Sequence, residues 1–429
     1  MMFKGDMNSL EKDKISDIQK NYREFNYHCI QLLKVIEGFK NTKDNTQIIG
    51  AFEHEIVSFL TPFFHYIDSP LEDNFLKSLK KNHQIRKKTK NWKQKLVAVA
   101  EKLNGFIHGN RKKSIYLNLN VAKKTRRTLT FQWFFKYRLI FTDQFEKVSL
   151  SSNDIHTISE LLKLAHDTFP KYIKSEFFEN FISNLFLLKT KDGLRLPDYF
   201  VTGSNMNLKS RLKAFYFQKK GKKVISISHH KNGLITFEEP WTRYAELAFV
   251  DTYVDHGNKL VEIGTCKILQ SDVPNGEPSN QQAVKYPNTL LYIPTSLSGF
   301  KNYGPYRAYK DEDYKTVQEL LIENTTKLGI DLHIKQHPKQ KTTFETGNVL
   351  SRFEFLEEVI DEYEYILLDY VSNASQLAIT KNKTIFYLDF SIRKIHQSYL
   401  NDMETSIAGY YKINTDNDLR IALKKVDSI

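Results

Sequence analysis

Two cysteines in 429 residues, Cys29 and Cys266, exclude a disulfide framework and a cysteine zinc site, because neither stands in a C-x-x-C spacing. Glycine and proline are sparse, at 17 and 11, so the chain is neither collagen-like nor low in complexity. No apolar run approaches the ~20 residues that a membrane-spanning helix needs. The first residues, MMFKGDMNSLEKDK, lack the apolar stretch of a secretory signal. The sequence also lacks a G-x-x-x-x-G-K-[ST] loop, a G-x-G-x-x-G turn and a G-x-S-x-G elbow. ATPase, dinucleotide-dependent redox and hydrolase readings lose their usual support with them. What remains is the expectation of a soluble cytoplasmic protein of two or three domains, at roughly 150 residues per domain.

Charge of one sign is abundant. Lys and Arg number 63 against 50 Asp and Glu, a net charge of +13 that favours anionic partners. The surplus is uneven. From Asn74 to Ala100 there is no acid, while nine basic residues fall between Lys77 and Lys95, among them Lys87, Lys88, Lys90 and Lys93. Lys123, Lys124, Arg126 and Arg127 precede the aromatic run Phe131, Trp133, Phe134, Phe135, Tyr137. The pattern suits a solvated helical face followed by core, or a patch that meets anionic lipid headgroups with aromatics at the interface. No nucleic-acid-binding signature accompanies it, so a basic nucleic-acid-binding protein is the rival of another class.

Residues 1–190 read as mostly helical. Ile15, Ile18, Tyr22, Phe25, Cys29, Leu32 and Ile36 alternate spacings of three and four, one apolar stripe along a helix. Similar patterns run through Asp154–Ala165 and Ile173–Leu188. Past Leu196 the grammar becomes strand, helix, strand: Pro197–Thr202, Leu208–Lys219, Val224–Ile227, Ala248–Val254. Residues Gly276–Pro287 are polar, with two prolines, and read as a linker. The alternation restarts with Leu290–Pro294, Asp311–Leu328, Ile330–Lys335, a helix around Arg352–Tyr363, Tyr365–Asp369, Ser372–Thr380 and Thr384–Leu388. The expected architecture is α/β: a helical region over 1–190, a Rossmann-like unit over 191–283 and a second over 284–429, the two units facing across a cleft.

In a parallel sheet the ligand lies beyond the carboxyl ends of the strands. Candidate site residues are therefore the polar ones just after strands. His337-Pro338 follows a strand that carries Lys335, and its imidazole suits a phosphate. Ser372, Asn373 and Ser375 join a strand to a helix whose N-terminus can bind phosphate or simply be capped by them. Thr295 and Ser296 follow another strand. His229 and His230 end the third strand of the first unit; either can act as general base, with Glu238 or Glu239 to orient it. No third ligand accompanies the histidine pair, and Asp311-Glu312-Asp313 opens a helix, where acids suit the dipole, so no metal site is expected.

SISHHKNG (Ser226–Gly233), ELAFVDTYVDHG (Glu246–Gly257), LLYIPTSLSG (Leu290–Gly299), IKQHP (Ile334–Pro338) and LLDYVSNAS (Leu367–Ser375) together resemble bacterial GT-B glycosyltransferases of capsule and surface-polysaccharide assembly. The likeness covers roughly residues 196–400. It points to the sialyltransferase/Kdo-transferase branch, with CMP-activated acidic sugars as donors, and also to the CDP-glycerol glycerophosphotransferases. It implies donor contacts by His337, Pro338, Lys335, Ser372, Asn373, Ser375, Thr295 and Ser296. It further implies base catalysis by His230 or His229 with Glu239, and neither cofactor nor metal. The family's usual Q-H-G-G and D/E-D/E-G motifs are replaced here by His229-His230-Lys231-Asn232-Gly233 and Glu238-Glu239-Pro240. A glycan or lipid-linked acceptor then implies peripheral attachment to the inner face of the plasma membrane through Lys87, Lys88, Lys90 and Lys93, and no nucleic-acid partner.

Overall fold

The computed structural model describes residues 13–42, 46–80, 100–104, 106–108, 113–118, 130, 132–141, 143–203, 207–228, 247–255, 267–270, 284–295, 297, 310–337, 344, 348–351, 353–392, 401 and 407–427. These form two units. One comprises the described residues up to Tyr27 together with those from 284 onward; the other comprises 28–270. The division falls inside α1 (Lys14–Thr42), whose apolar stripe is buried at every position read from the sequence, from Ile15 to Ile36.

In the 28–270 unit, α2 (Thr46–Tyr66) and α3 (Glu72–Lys80) pack through aromatic side chains, Phe63 meeting Phe75 edge-on at 5.2 Å. A six-stranded parallel sheet comprises β1 (Ser114–Asn118), β2 (Arg138–Ile140), β5 (Tyr199–Thr202), β6 (Lys223–Ile227), β7 (Thr252–Asp255) and β8 (Lys267–Gln270). Its order is β2-β1-β5-β6-β7-β8. The antiparallel pair β3 (Phe145–Val148) and β4 (Leu187–Thr190) flanks α4 (Ser152–Thr168) in the chain; Ser151 and Asp154 cap that helix reciprocally. The helix α5 (Leu208–Lys219) follows β5.

Two expectations are corrected here. Residues 1–190 are not uniformly helical, since β1 to β4 all fall within them and the sheet of this unit begins at Ser114, not after residue 190. Ile173–Leu188 is not one helix but a 3-10 turn, a short helix over Phe178–Ser183 and the start of β4. Short apolar runs such as Ser114–Asn118 carry no period long enough to tell strand from helix, and pairing with β5 decides them.

The other unit holds β9 (Tyr286–Ile293), β10 (Leu332–Lys335), β11 (Asn348–Leu350), β12 (Tyr363–Leu368), β13 (Thr384–Asp389) and β14 (Ile407–Lys412), all parallel, in the order β11-β10-β9-β12-β13-β14. Counted from β9 this is 3-2-1-4-5-6, the doubly wound order of dinucleotide-binding folds. The helices are α6 (Asp311–Leu328), α7 (Asn373–Thr380) and α8 (Asp416–Asp427). α6 starts with three acids at its positive end and stops at Gly329, whose φ of 76° is the left-handed conformation that glycine adopts without strain. The helix expected around Arg352–Tyr363 shrinks to one turn, Leu356–Val359, followed by a 3-10 turn. Tyr286 and Pro287, expected in a linker, open β9.

The start of α1 also belongs to this unit. Gln19 Nε2 donates to the carbonyls of Phe390 (3.0 Å) and Ile413 (2.7 Å), and Ile15 N–H donates to Asp416 at 3.1 Å. A buried amide that satisfies two carbonyls beyond the strand ends explains why residues nearly 400 positions from α8 dock there.

Candidate functional site

β9 is the strand from which the chain winds first towards β10 and β11 and later towards β12, so the switch point lies between β9 and β12. Both strands end on buried apolar residues, Leu290–Ile293 and Ile366–Leu368. The first polar side chain beyond them on the β12 side is Asp369, itself only 3% exposed.

Asp369 bridges the two strand ends. Its carboxylate accepts the Tyr292 hydroxyl at 2.6 Å, the Thr295 N–H at 3.1 Å and the Gln318 amide at 3.4 Å. Gln318, fully buried on α6, also donates to the Thr295 carbonyl at 3.1 Å. Tyr314, one turn earlier on α6, donates to the Asp369 carbonyl at 2.7 Å. β9, β12 and α6 are thus tied through one carboxylate, and the Thr295 backbone is held at both its N–H and its C=O. Burial pushes the Asp369 carboxyl up to about 6 in spite of these donors, which pull the other way. The same burial, with the adjacent carboxylate, pushes the Tyr292 phenol well above its ordinary value.

Around this knot the structure gathers residues expected from the sequence. Thr295 is buried beyond β9, and His337 stands exposed beyond β10, the strand beside β9. Ser372 caps α7, accepting the Ala374 N–H at 3.1 Å, while the Ser375 hydroxyl donates to the Ser372 carbonyl at 2.6 Å and accepts its N–H at 3.3 Å. The two serines therefore shape the N-terminus of α7, whose Ala374 and Ser375 N–H groups are taken by the Ser372 hydroxyl and carbonyl. All of these positions lie past the carboxyl ends of parallel strands, at one edge of the sheet.

Lys335 differs from the expectation of a phosphate-facing cation. It is 3% exposed, and its ammonium donates to the carbonyls of Ser351 (2.9 Å) and Gln336 (3.4 Å), which braces the ends of β10 and β11. Burial lowers its pKa, with Glu354 opposing. Ser296, Pro338 and the side chain of Asn373 lie outside the described residues, as do His229, His230, Glu238 and Glu239 and the patch Lys87, Lys88, Lys90 and Lys93.

Tyr292, Tyr314 and Gln318 were not singled out from the sequence, and Asp369 only as the first polar residue after its strand. The available signal was an acid directly after an all-apolar strand run, Tyr365–Leu368, where a solvated loop acid and a buried knot look alike. The 28–270 unit carries a smaller polar knot at its own switch point between β1 and β5: Asn118 donates to Ser210 at 3.1 Å, and the hydroxyls of Thr202 and Ser210 lie 3.3 Å apart. Among the described residues no three His, Cys, Asp or Glu side chains converge as a metal site would, and no helix is long and apolar enough to cross a membrane.

No protein-family model and no curated protein matches the chain. Among solved structures it is similar to the glycotransferase of kitacinnamycin, with a TM-score of 0.34 and 10% identity over 77% of this chain and 87% of that one. The spinosyn forosaminyltransferase SpnP gives 0.35 and 10% over 74% and 91%. The spinosyn rhamnosyltransferase SpnG, in complex with thymidine diphosphate, gives 0.35 and 9% over 78% and 89%.

Proposed function

We propose that the chain is a GT-B glycosyltransferase that uses a nucleotide-sugar donor. In its finer form, the reading is an inverting transfer of an acidic sugar, of the nonulosonic-acid or Kdo kind, from a CMP-linked donor to a surface-glycan acceptor, without a metal. The observation that supports it is the switch-point edge, where Thr295, His337 and the N-terminus of α7 each follow the carboxyl end of a parallel strand and Asp369 locks one strand end. An anionic leaving group suits that edge. An imidazole donates to phosphate oxygens, the positive end of the α7 dipole favours their charge, and fixed groups cost no reorganisation as charge develops.

In this scheme the glycosidic C–O bond to the phosphate breaks as the acceptor oxygen attacks from the opposite face. His230 or His229, oriented by Glu239, takes the acceptor proton; this assignment rests on the sequence. The buried Lys335 ammonium adds positive potential behind the edge without touching the donor.

The test is a nucleotide screen. CMP and CDP are expected to raise the melting temperature more than UDP or TDP. Loss of stabilisation by every nucleotide overturns the reading. His337→Ala is expected to lower kcat/KM about 10- to 100-fold, the loss of one hydrogen bond to a charged group at roughly 1.5–3 kcal/mol. Turnover is expected to persist in EDTA, and product analysis should show a transferred sugar; glycerophosphate in its place would reassign the chain to a CDP-glycerol-type transferase.

A further inference from the structure

The carboxyl edge of the 28–270 sheet differs from the layer beneath it. β1, β5 and β6 run side by side, with Asn118 level with Thr202 and Thr202 level with Ser226. Residues level in a parallel sheet present their side chains to one face, and alternate residues along a strand share it. Two residues earlier on that face stand Tyr116, Phe200 and Val224, and Phe217 of α5 stacks on Phe200 at 5.3 Å. Leu117, Val201 and Ile227 occupy the opposite face, in a core with Ile115 and Leu139. The face covered by α5 is thus apolar in one layer. It turns polar in the next, at Asn118, Thr202 and Ser226, where the strands end.

Two members of the polar layer meet α5. Asn118 donates to the Ser210 hydroxyl at 3.1 Å, and the Thr202 hydroxyl lies 3.3 Å from it. The Ser226 hydroxyl, on the same face and 0% exposed, has no hydrogen-bond partner among the described residues. A buried hydroxyl without a partner costs free energy that a ligand oxygen would return.

α5 brings its N-terminus to this layer. Asn207 caps it, and the N–H groups of Ser210 and Arg211 turn back to Asn207. Those of Leu208 and Lys209 precede any intrahelical acceptor. Asn118, Asn207 and Lys209 are exposed, so the edge is open to solvent there. The charge nearby is positive, because the ammoniums of Lys209 and Lys213 share one carboxylate, Asp143, which follows β2. Helix-start N–H groups, an amide, a row of hydroxyls and two cations to one acid are complementary to an anion. Donors converge from the helix on one side and from the strand ends on the other. That arrangement suits a tetrahedral phosphate better than a planar carboxylate.

We infer that this edge is a phosphate site, held by the Leu208 and Lys209 N–H groups, the Lys209 ammonium, the Asn118 amide and the Ser226 hydroxyl. In the transferase reading, on which this last assignment rests, the phosphate belongs to the acceptor, since that reading places the donor's phosphate at the other sheet.

Amide spectra of the full chain, titrated with inorganic phosphate, test the site. The Leu208 and Lys209 signals are expected to shift and saturate, and equal acetate to move them less. Asn118→Asp, which sets a second carboxylate at the edge, should weaken that response at least about tenfold and leave any response at Thr295 and His337 unchanged. Ser226→Ala should weaken it roughly tenfold while raising the melting temperature, since it removes the unpartnered hydroxyl. The opposite signs separate ligand contact from a structural role. Unmoved amides overturn the inference, and so does a response that both variants leave intact. Glucose 6-phosphate is expected to shift the same amides and glucose not; equal shifts by both overturn the assignment to phosphate. Phosphate binding here with no stabilisation by any nucleotide overturns the transferase reading and not the site.

Discussion

Asp369→Asn is expected to gain stability relative to the wild type as the pH rises from about 4 to 7, while weakening its hold on nucleotide. The native carboxyl titrates near 6, against about 3.9 in an unfolded chain, because burial disfavours the charge. Between those values the folded state holds a proton that the unfolded state has released, so stability falls as pH rises from about 4 to 6 and stays reduced above it. Two pKa units amount to roughly 3 kcal/mol. Asparagine has nearly the same shape and no charge, and it turns one acceptor oxygen into an NH2 donor at a cost that does not vary with pH. The difference in urea unfolding free energy between variant and wild type should therefore grow by about 3 kcal/mol from pH 4 to pH 7 and then level off. A difference that does not change with pH would show that Asp369 does not titrate in this range.

Asp369→Ala behaves otherwise. It leaves the Tyr292 hydroxyl and the Thr295 N–H buried without an acceptor, at roughly 1–3 kcal/mol each. At pH 4 to 5 nothing offsets that loss, and the variant should be about 4 kcal/mol less stable than the wild type. At pH 7 removal of the buried charge returns most of it. Under the proposed function, a charge kept at the switch point against stability is explained by its hold on the Thr295 backbone, where the donor would bind. Nucleotide stabilisation of Asp369→Asn should accordingly be smaller than that of the wild type, and equal stabilisation would make Asp369 structural only.

The same residues show what the sequence made legible. Long periodic segments were readable: α6 runs from Asp311 to Leu328, as its acids and Gly329 indicate, and Leu208–Lys219 is helical as its pattern suggests. Strand ends carrying polar residues were readable too, which places Thr295, His337 and Ser372 at one sheet edge. Three-dimensional convergence was not. Asp369 and Gln318 are 51 residues apart, and only strand order makes them neighbours. The docking of Gln19 beyond β13 was hidden for the same reason. Neither local propensity nor periodicity registers a contact between the first helix and the last.

Burial of charge was the other hidden quantity, and it leads to the second large effect. On α5 the residues Ser210 to Phe215 and Phe217 are all buried, Arg211 and Lys213 among them, so the helix is enclosed on more than one face. The two cations lie two positions apart and point to different neighbours. Lys213 donates to the Tyr116 hydroxyl at 2.6 Å and pairs with Asp143 at 3.1 Å. Arg211, 2% exposed, pairs with Glu55 on α2. Beside that pair, burial lowers the His54 pKa, so its imidazole is neutral at pH 7 and supplies no competing cation. Glu55→Ala should cost about 3–5 kcal/mol, because it removes the carboxylate paired with a guanidinium that is only 2% exposed. Replacing both partners, Glu55→Met with Arg211→Met, should be near neutral, since apolar side chains of similar length remove the desolvation penalty together with the attraction. A double-mutant cycle in urea separates the two outcomes. If Glu55→Ala costs less than about 1 kcal/mol, the pair is solvated in solution and α5 is not enclosed. The consequence reaches the second switch point, because Asn207 accepts the Ser210 N–H at 2.9 Å and Ser210 ties α5 to the ends of β1 and β5. Loss of the Arg211 pair should therefore loosen that edge first, seen as faster amide exchange at Ser210 and Arg211 than in β9 or β12.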